Sequence, residues 1–138
     1  MDKTFTQEIS VRWSDCDPAN IVYTARIPYF ALDAIDAWWE DTVGDDWFRL
    51  NMDKDIGIPF VHISVDFRKP VTPRYQLLCN VRLIKLGNSS VRFSVKGYQN
   101  DDLCFEGEFV EVFVLAEAHE KIGIPQEFKI RLEQRLNI

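Results

Sequence analysis

Residues 27–43 constrain the fold most. Ile27, Tyr29, Phe30, Leu32, Ala34, Ile35, Ala37, Trp38 and Trp39 are apolar around most of a helical wheel, broken by Asp33, Asp36, Glu40 and Asp41. A surface helix keeps a wide polar face; one that is apolar almost all round is enclosed by other elements. Pro28 fits only in the first turn, where N–H groups have no intrahelical partner. The helix therefore starts near Ala25 to Ile27, and Gly44 supplies the stop. A chain of 138 residues has room for one domain with a real core around such a helix.

The flanking segments read as strands. Phe5 to Trp13 alternates, with Phe5, Ile9, Val11 and Trp13 on one side and Glu8, Ser10 and Arg12 on the other, which predicts a half-buried strand. Residues 45–59 read as a connection with a short helix around Trp47 to Met52. Val61, Ile63, Val65 and Phe67 then alternate with His62, Ser64 and Asp66. A strand over 77–86 ends at the turn Gly87-Asn88-Ser89. Val91, Phe93 and Val95 alternate with Arg92, Ser94 and Lys96, and Asn100-Asp101-Asp102 turns the chain into a strand from Leu103 to Ala116. That strand becomes almost wholly apolar after Phe109, which predicts a bulge or burial on both faces. Pro125 opens a last helix with Phe128, Leu132 and Leu136 four apart. The expected class is α+β, one domain over residues 1–138, with a five-stranded antiparallel sheet wrapped around one long central helix. The free face and edges of such a sheet need a cover, and a second copy supplies it most simply.

A formal charge of −6 argues against nucleic acid as the main partner. No segment approaches the roughly 18 apolar residues of a membrane span, and Met1-Asp2-Lys3-Thr4 lacks the basic-then-apolar layout of a signal peptide. Cys16, Cys79 and Cys104 are odd in number and far apart, which suggests neither a disulfide framework nor a zinc site. A cytoplasmic protein is expected.

The segment most suggestive of chemistry is Ser14-Asp15-Cys16-Asp17-Pro18-Ala19-Asn20-Ile21-Val22-Tyr23, which leads into the helix. Pro18 fixes its own φ and pushes Asp17 toward an extended conformation. A carboxylate held near a helix start has a base or nucleophile on one side and free N–H groups on the other. The same residues also suit an ordinary turn, since Asp bonds its own backbone. Cys16 lies between two carboxylates, which disfavours a thiolate, so it is expected to be a bystander. Asp15 and Asp17 offer too few oxygens for a hard cation, and no His/Cys cluster supports a metal.

The layout and this motif together resemble the hotdog fold, and within it the 4-hydroxybenzoyl-CoA thioesterase family, whose signature is Asp-x-Asp-x-x-Gly-hydrophobic-Val-Tyr before the central helix. The resemblance extends over the helix, Ile58-Pro59, Phe67-Arg68-Lys69-Pro70-Val71-Thr72-Pro73 and Gly87-Asn88-Ser89-Ser90. It implies an acyl-CoA thioesterase without a cofactor, working as a homodimer or dimer of dimers, with the site between subunits. Asp17 matches the catalytic carboxylate. The carbonyl would be polarised by backbone N–H groups in the Tyr23–Ala25 region, Thr24 above all. Asn20 replaces the usual Gly, and Asn also tolerates a left-handed φ. Tyr23-Thr24-Ala25-Arg26-Ile27 replaces the usual Tyr-Tyr-x-Asn-Tyr, which changes the acyl pocket wall.

Asp15 is expected to be a structural hydrogen-bond acceptor. Trp47 is a candidate for the acyl pocket, and His62 the other tempting group, although a solvated His explains it as well. His119 lies in an acidic loop and is expected to be exposed. Arg68, Lys69, Arg74, Lys85, Arg92 and Lys96 are candidates for the CoA phosphates, Lys85 and Arg92 above the rest; a solvated sheet face explains most of them equally. Two other classes stay open. A hotdog hydratase or dehydratase would need a His paired with an acid near the helix, which has none. A non-catalytic acyl-thioester binder would gain nothing from Asp17.

Overall fold

The computed structural model describes residues 2–137. In chain order it forms β1 (Phe5–Ile9), a 3-10 turn (Trp13–Asp15), α1 (Arg26–Val43), α2 (Trp47–Lys54), β2 (Ile56–Gly57), β3 (Phe60–Phe67), β4 (Leu77–Leu86), β5 (Ser90–Gln99), β6 (Asp102–Val112), β7 (Val114–Leu115) and α3 (Gln126–Arg135).

α1 starts without a side-chain cap, carries Pro28 in its first turn, and ends on Gly44 at φ 90°, whose N–H donates to the Glu40 carbonyl. Only Gly adopts that φ without steric cost. The helix buries Ile27, Phe30, Ala31, Ala34, Ile35, Trp38 and Trp39, with Thr42 and Val43 at its end. α2 is capped by Asp46, whose side chain accepts from Arg49 N.

The main sheet has five strands in the order β1-β4-β5-β6-β3, every neighbouring pair antiparallel. β2 and β7 form a separate two-stranded piece. One face of the main sheet packs on α1: Leu77, Cys79, Val81, Leu83, Val91, Phe93, Val95, Phe105 and Phe109 join the helix residues in one core. Trp38 meets Phe93 edge-on at 4.8 Å, and Trp39 meets Phe113 at 5.8 Å. Burying an aromatic side chain contributes about 2–3 kcal/mol, so these rings fix α1 on the sheet.

Two expectations change, and the two-way reading of the last long strand is met. The first strand stops at Ile9, since β1 pairs with β4 only over Phe5–Ile9. Trp13 leaves the sheet in the 3-10 turn and is 74% exposed rather than inward-facing. β3 alternates in sequence but is open on both faces: Val61 is 60%, Ile63 44% and Phe67 51% exposed. It is an edge strand with a partner on one side only. In β6, Phe109, Val110 and Glu111 are consecutively buried, so both faces are covered there; the pairing to β5 is unbroken, while the pairing to β3 shifts between Phe60 and His62.

Candidate active site

The motif before α1 is a tight hairpin. Cys16 bridges Val22, Asp17 N donates to Ile21 O at 3.0 Å, and Asn20 N donates to Asp17 O at 2.9 Å. Asn20 sits at φ 65°, which completes a turn followed by a left-handed residue. The Asp17 carboxylate is half-buried and its Oδ1 accepts from Ala19 N at 2.8 Å. Pro18 leaves that turn one N–H short without breaking it.

Asp15 holds the hairpin to the helix. It is buried, accepts from Arg12 N at 2.9 Å through Oδ2, and accepts from Arg26 Nε at 2.9 Å through Oδ1. Burial pushes its proton affinity up, but the Arg12 N–H, the Arg26 hydrogen bond and the Arg26 charge outweigh it and hold the carboxyl below the usual range. Its carbonyl also accepts from Tyr23 N at 2.9 Å.

The amides that follow behave differently. Arg26 N donates to Tyr23 O at 2.8 Å and Ile27 N to Thr24 O at 3.2 Å. The N–H groups of Thr24 and Ala25 donate to no acceptor among the described residues. They sit at the positive end of α1 and are free to bind a developing negative charge.

Beside them opens a cleft of about 330 Å³, lined by Ile21, Val22, Thr24 and Ile27 on one side and Phe67, Arg68, Lys69, Pro70, Val71, Cys104 and Phe105 on the other. Its second wall is pinned: Arg68 N and Lys69 N both donate to Cys104 O, Val22 N donates to Val71 O, and the buried Gln99 amide bonds Thr72 and Tyr75 carbonyls. Asp17 is on the same hairpin, opposite Ile21, which lines the cleft.

A second cavity, about 460 Å³ and mostly apolar, lies at the other end of β3 among Leu32, Trp47, Asn51, Ile58, Phe60, Val114, Ala116 and His119. Trp47 meets Phe60 edge-on at 5.5 Å, and its backbone N–H donates to Asp36 Oδ1 at 2.9 Å. Burial pushes the Asp36 carboxyl up, the Trp47 N–H opposing it.

Within one protomer the structure brings Thr24, Arg68 and Lys69 together around the cleft, with Asp17 on the hairpin whose Ile21 lines it, but not the other candidates. Tyr23 is exposed and its N–H is taken by Asp15. Ala25 adjoins Thr24 at the helix start. Trp47 is in the second cavity. His62 is exposed on β3 and lines neither cavity. Lys85 is exposed after an irregularity in β4, and Arg92 pairs with Glu108 at 3.0 Å; both are away from the cleft. Arg68 pairs with Glu106 and Lys69 with Asp102. Among the described residues no group of three His, Cys, Asp or Glu side chains is placed to hold a metal, and no helix is long and apolar enough to cross a membrane. Sequence reasoning missed Glu111, although a lone Glu inside Phe109-Val110-Glu111-Val112-Phe113-Val114 was a visible signal.

A cleft flanked by free helix-start amides, with a carboxylate on the adjoining hairpin, is compatible with acyl transfer. A family model described as the Thioesterase-like superfamily matches residues 11–132, and the chain belongs to that superfamily. A solved thioesterase superfamily structure from Jannaschia sp. CCS1 is 40% identical, with a TM-score of 0.96, covering 100% of this chain and 96% of that one. A 1,4-dihydroxy-2-naphthoyl-CoA thioesterase from Synechocystis is 22% identical, TM-score 0.84, covering 94% and 95%. A DHNA-CoA thioesterase from Staphylococcus aureus is 13% identical, TM-score 0.83, covering 94% and 87%; these two likenesses are of fold. No curated protein matches the sequence.

Proposed function

We propose that this protein is an acyl-CoA thioesterase of hotdog type that hydrolyses R–CO–S–CoA to a free acid and CoA. The observation that carries this reading is the pair of unpartnered amides, Thr24 N–H and Ala25 N–H, at the start of α1 beside a cleft that Thr24 lines, with Asp17 on the hairpin that leads into it. A thioester expels a thiol of pKa near 8.5 and needs little acid help. It needs an attacking oxygen and a stabilised oxyanion. Asp17 supplies the first, by attacking the carbonyl carbon to give a mixed anhydride and thiolate, or by taking a proton from the attacking water. Thr24 N–H supplies the second.

The site is completed by a second copy. β3 presents an apolar free edge that calls for a cover. Two β3 strands paired antiparallel about a two-fold axis put the Phe60 end of one beside the Phe67 end of the other. The Thr24 cleft flanks the Phe67 end and the Trp47 cavity the Phe60 end. The carbonyl then sits on one protomer while the acyl group enters the Trp47 cavity of its partner. Arg68 and Lys69, at the cleft wall, face the CoA end. The edge-on Trp47 and Phe60 rings suit a compact or aromatic acyl group.

The experiment is CoA release from acetyl-, long-chain and aryl-CoA thioesters by wild type and Asp17→Asn. Turnover on at least one thioester, lowered by orders of magnitude in a folded Asp17→Asn, is expected. Near-normal turnover in that variant removes Asp17 from the chemistry, and no release from any thioester favours a non-catalytic binder.

A further inference from the structure

Glu111 is the one charged-type side chain placed in the middle of the core, at 0% exposure. It lies on β6 opposite Phe60 of β3 and Val91 of β5, on the same face as Phe109 and Phe113. No Lys, Arg or His among the described residues pairs with it. Its Oε1 accepts from the Trp39 indole N–H at 3.0 Å. Its Oε2 and the Trp47 indole N–H are both buried and have no hydrogen-bond partner among the described residues. Both groups flank Phe60, which pairs with Glu111 across the sheet and meets the Trp47 ring edge-on at 5.5 Å. Burial drives the Glu111 carboxyl well above the usual range, the two indoles opposing this and Asp36 adding to it.

A carboxyl in an apolar core is a costly choice where a Leu or Met of similar volume would pack. What the acid adds is direction. It bonds the Trp39 indole on α1 and keeps a free buried oxygen in the same core as the unpaired Trp47 indole N–H on α2. Trp47 is already fixed at its backbone by Asp36 and at its ring by Phe60, which is itself the β3 partner of Glu111. The Trp47 ring forms a wall of the apolar cavity, with Leu32 beside it. We propose that Glu111 is a positioning residue that holds the Trp47 indole as the wall of this cavity and thereby sets which acyl groups the enzyme accepts. The selectivity half of this inference rests on reading the cavity as the acyl subsite; the indole half does not.

The two halves are tested separately. Glu111→Gln is uncharged and nearly isosteric, so it should fold. In 15N-labelled protein the indole N–H signals, assigned with single Trp→Phe variants, should shift for both Trp39 and Trp47 in Glu111→Gln. A shift of the Trp39 signal alone overturns the clamp, whatever the activity. For selectivity, Glu111→Leu should leave kcat nearly unchanged. It should raise KM for an aryl-CoA about tenfold, the scale of one misfitting methylene-sized contact, while KM for acetyl-CoA, too small to reach the wall, stays put. Glu111→Gln should restore the aryl KM, and in a Trp47→Phe background Glu111→Leu should add nothing. Equal KM changes for both thioesters, or an undiminished effect without Trp47, mark Glu111 as a packing residue only.

Discussion

Thr24→Pro removes one atom that the chemistry requires and little that the fold requires. Tyr23 O accepts from Arg26 N, so Tyr23–Arg26 is a four-residue turn. Ala25 sits at φ −68° and ψ −12°, which makes the turn type I with Thr24 at its second position. Pro is favoured there, and Tyr23 before it lies outside the helix, which suits the restriction that Pro imposes. The Thr24 N–H is not spent on the protein. Pro should therefore leave stability unchanged or raise it by about 0.5 kcal/mol, through a less mobile unfolded chain. Loss of one oxyanion donor costs about 3–4 kcal/mol in the transition state, a fall of about 100- to 1,000-fold in kcat. Thr24→Ala is the control, since it removes the side chain and keeps the N–H. The assays are thiol release under saturating acyl-CoA and a urea unfolding curve for each variant. A folded Thr24→Pro enzyme that turns over like Thr24→Ala would refute the assignment of this amide to the oxyanion.

Asp15→Asn should lower stability by about 1–2 kcal/mol at pH 7, mostly through the buried Arg12 N–H bond, because the half-exposed Arg26 partner is screened. The folded carboxyl titrates below its unfolded value of 3.8, so its stabilisation is fully present above that pH and fades as pH falls through the folded value. Urea midpoints of the two proteins should accordingly converge in acid; a constant gap would mean that charge is not the cause. Mixing Asp17→Asn with Trp47→Ala, each poorly active alone, should recover about a quarter of wild-type turnover after subunit exchange, because half of random dimers carry one intact composite site. No recovery would place both residues in one protomer's site.

Much of the fold was legible because it follows from hydrophobic period alone. The apolar run 27–43, its Pro28 and Gly44 punctuation, and the strands over 77–86 and 91–98 fold as their patterns dictate, since each buries its apolar side within one chain. Trp13 escaped because a side chain's period does not say where pairing with β4 ends; the Asp15 hydrogen bonds bend the chain away first. β3 escaped for a different reason. Its alternation is real, but nothing in the protomer covers Val61, Ile63 and Phe67. The site was half legible. Asp17 and Thr24 sit on one local hairpin and helix start, so sequence adjacency locates them. The Cys104–Phe105 wall, the Gln99 anchor and the Glu111 contact to Trp39 join segments far apart in the chain, and no local pattern reports such pairs.

The central claim is that the carbonyl of a thioester lies against Thr24 N–H within reach of Asp17. A crystal structure of the Asp17→Asn enzyme with a CoA thioether ketone, whose methylene keeps the carbonyl from being cleaved, measures this directly. The ketone oxygen is expected about 2.7–3.1 Å from Thr24 N, with the residue 17 side chain facing the carbonyl carbon and the acyl group in the Trp47 cavity of the partner subunit. A carbonyl bound away from α1, with residue 17 turned to solvent, would contradict it.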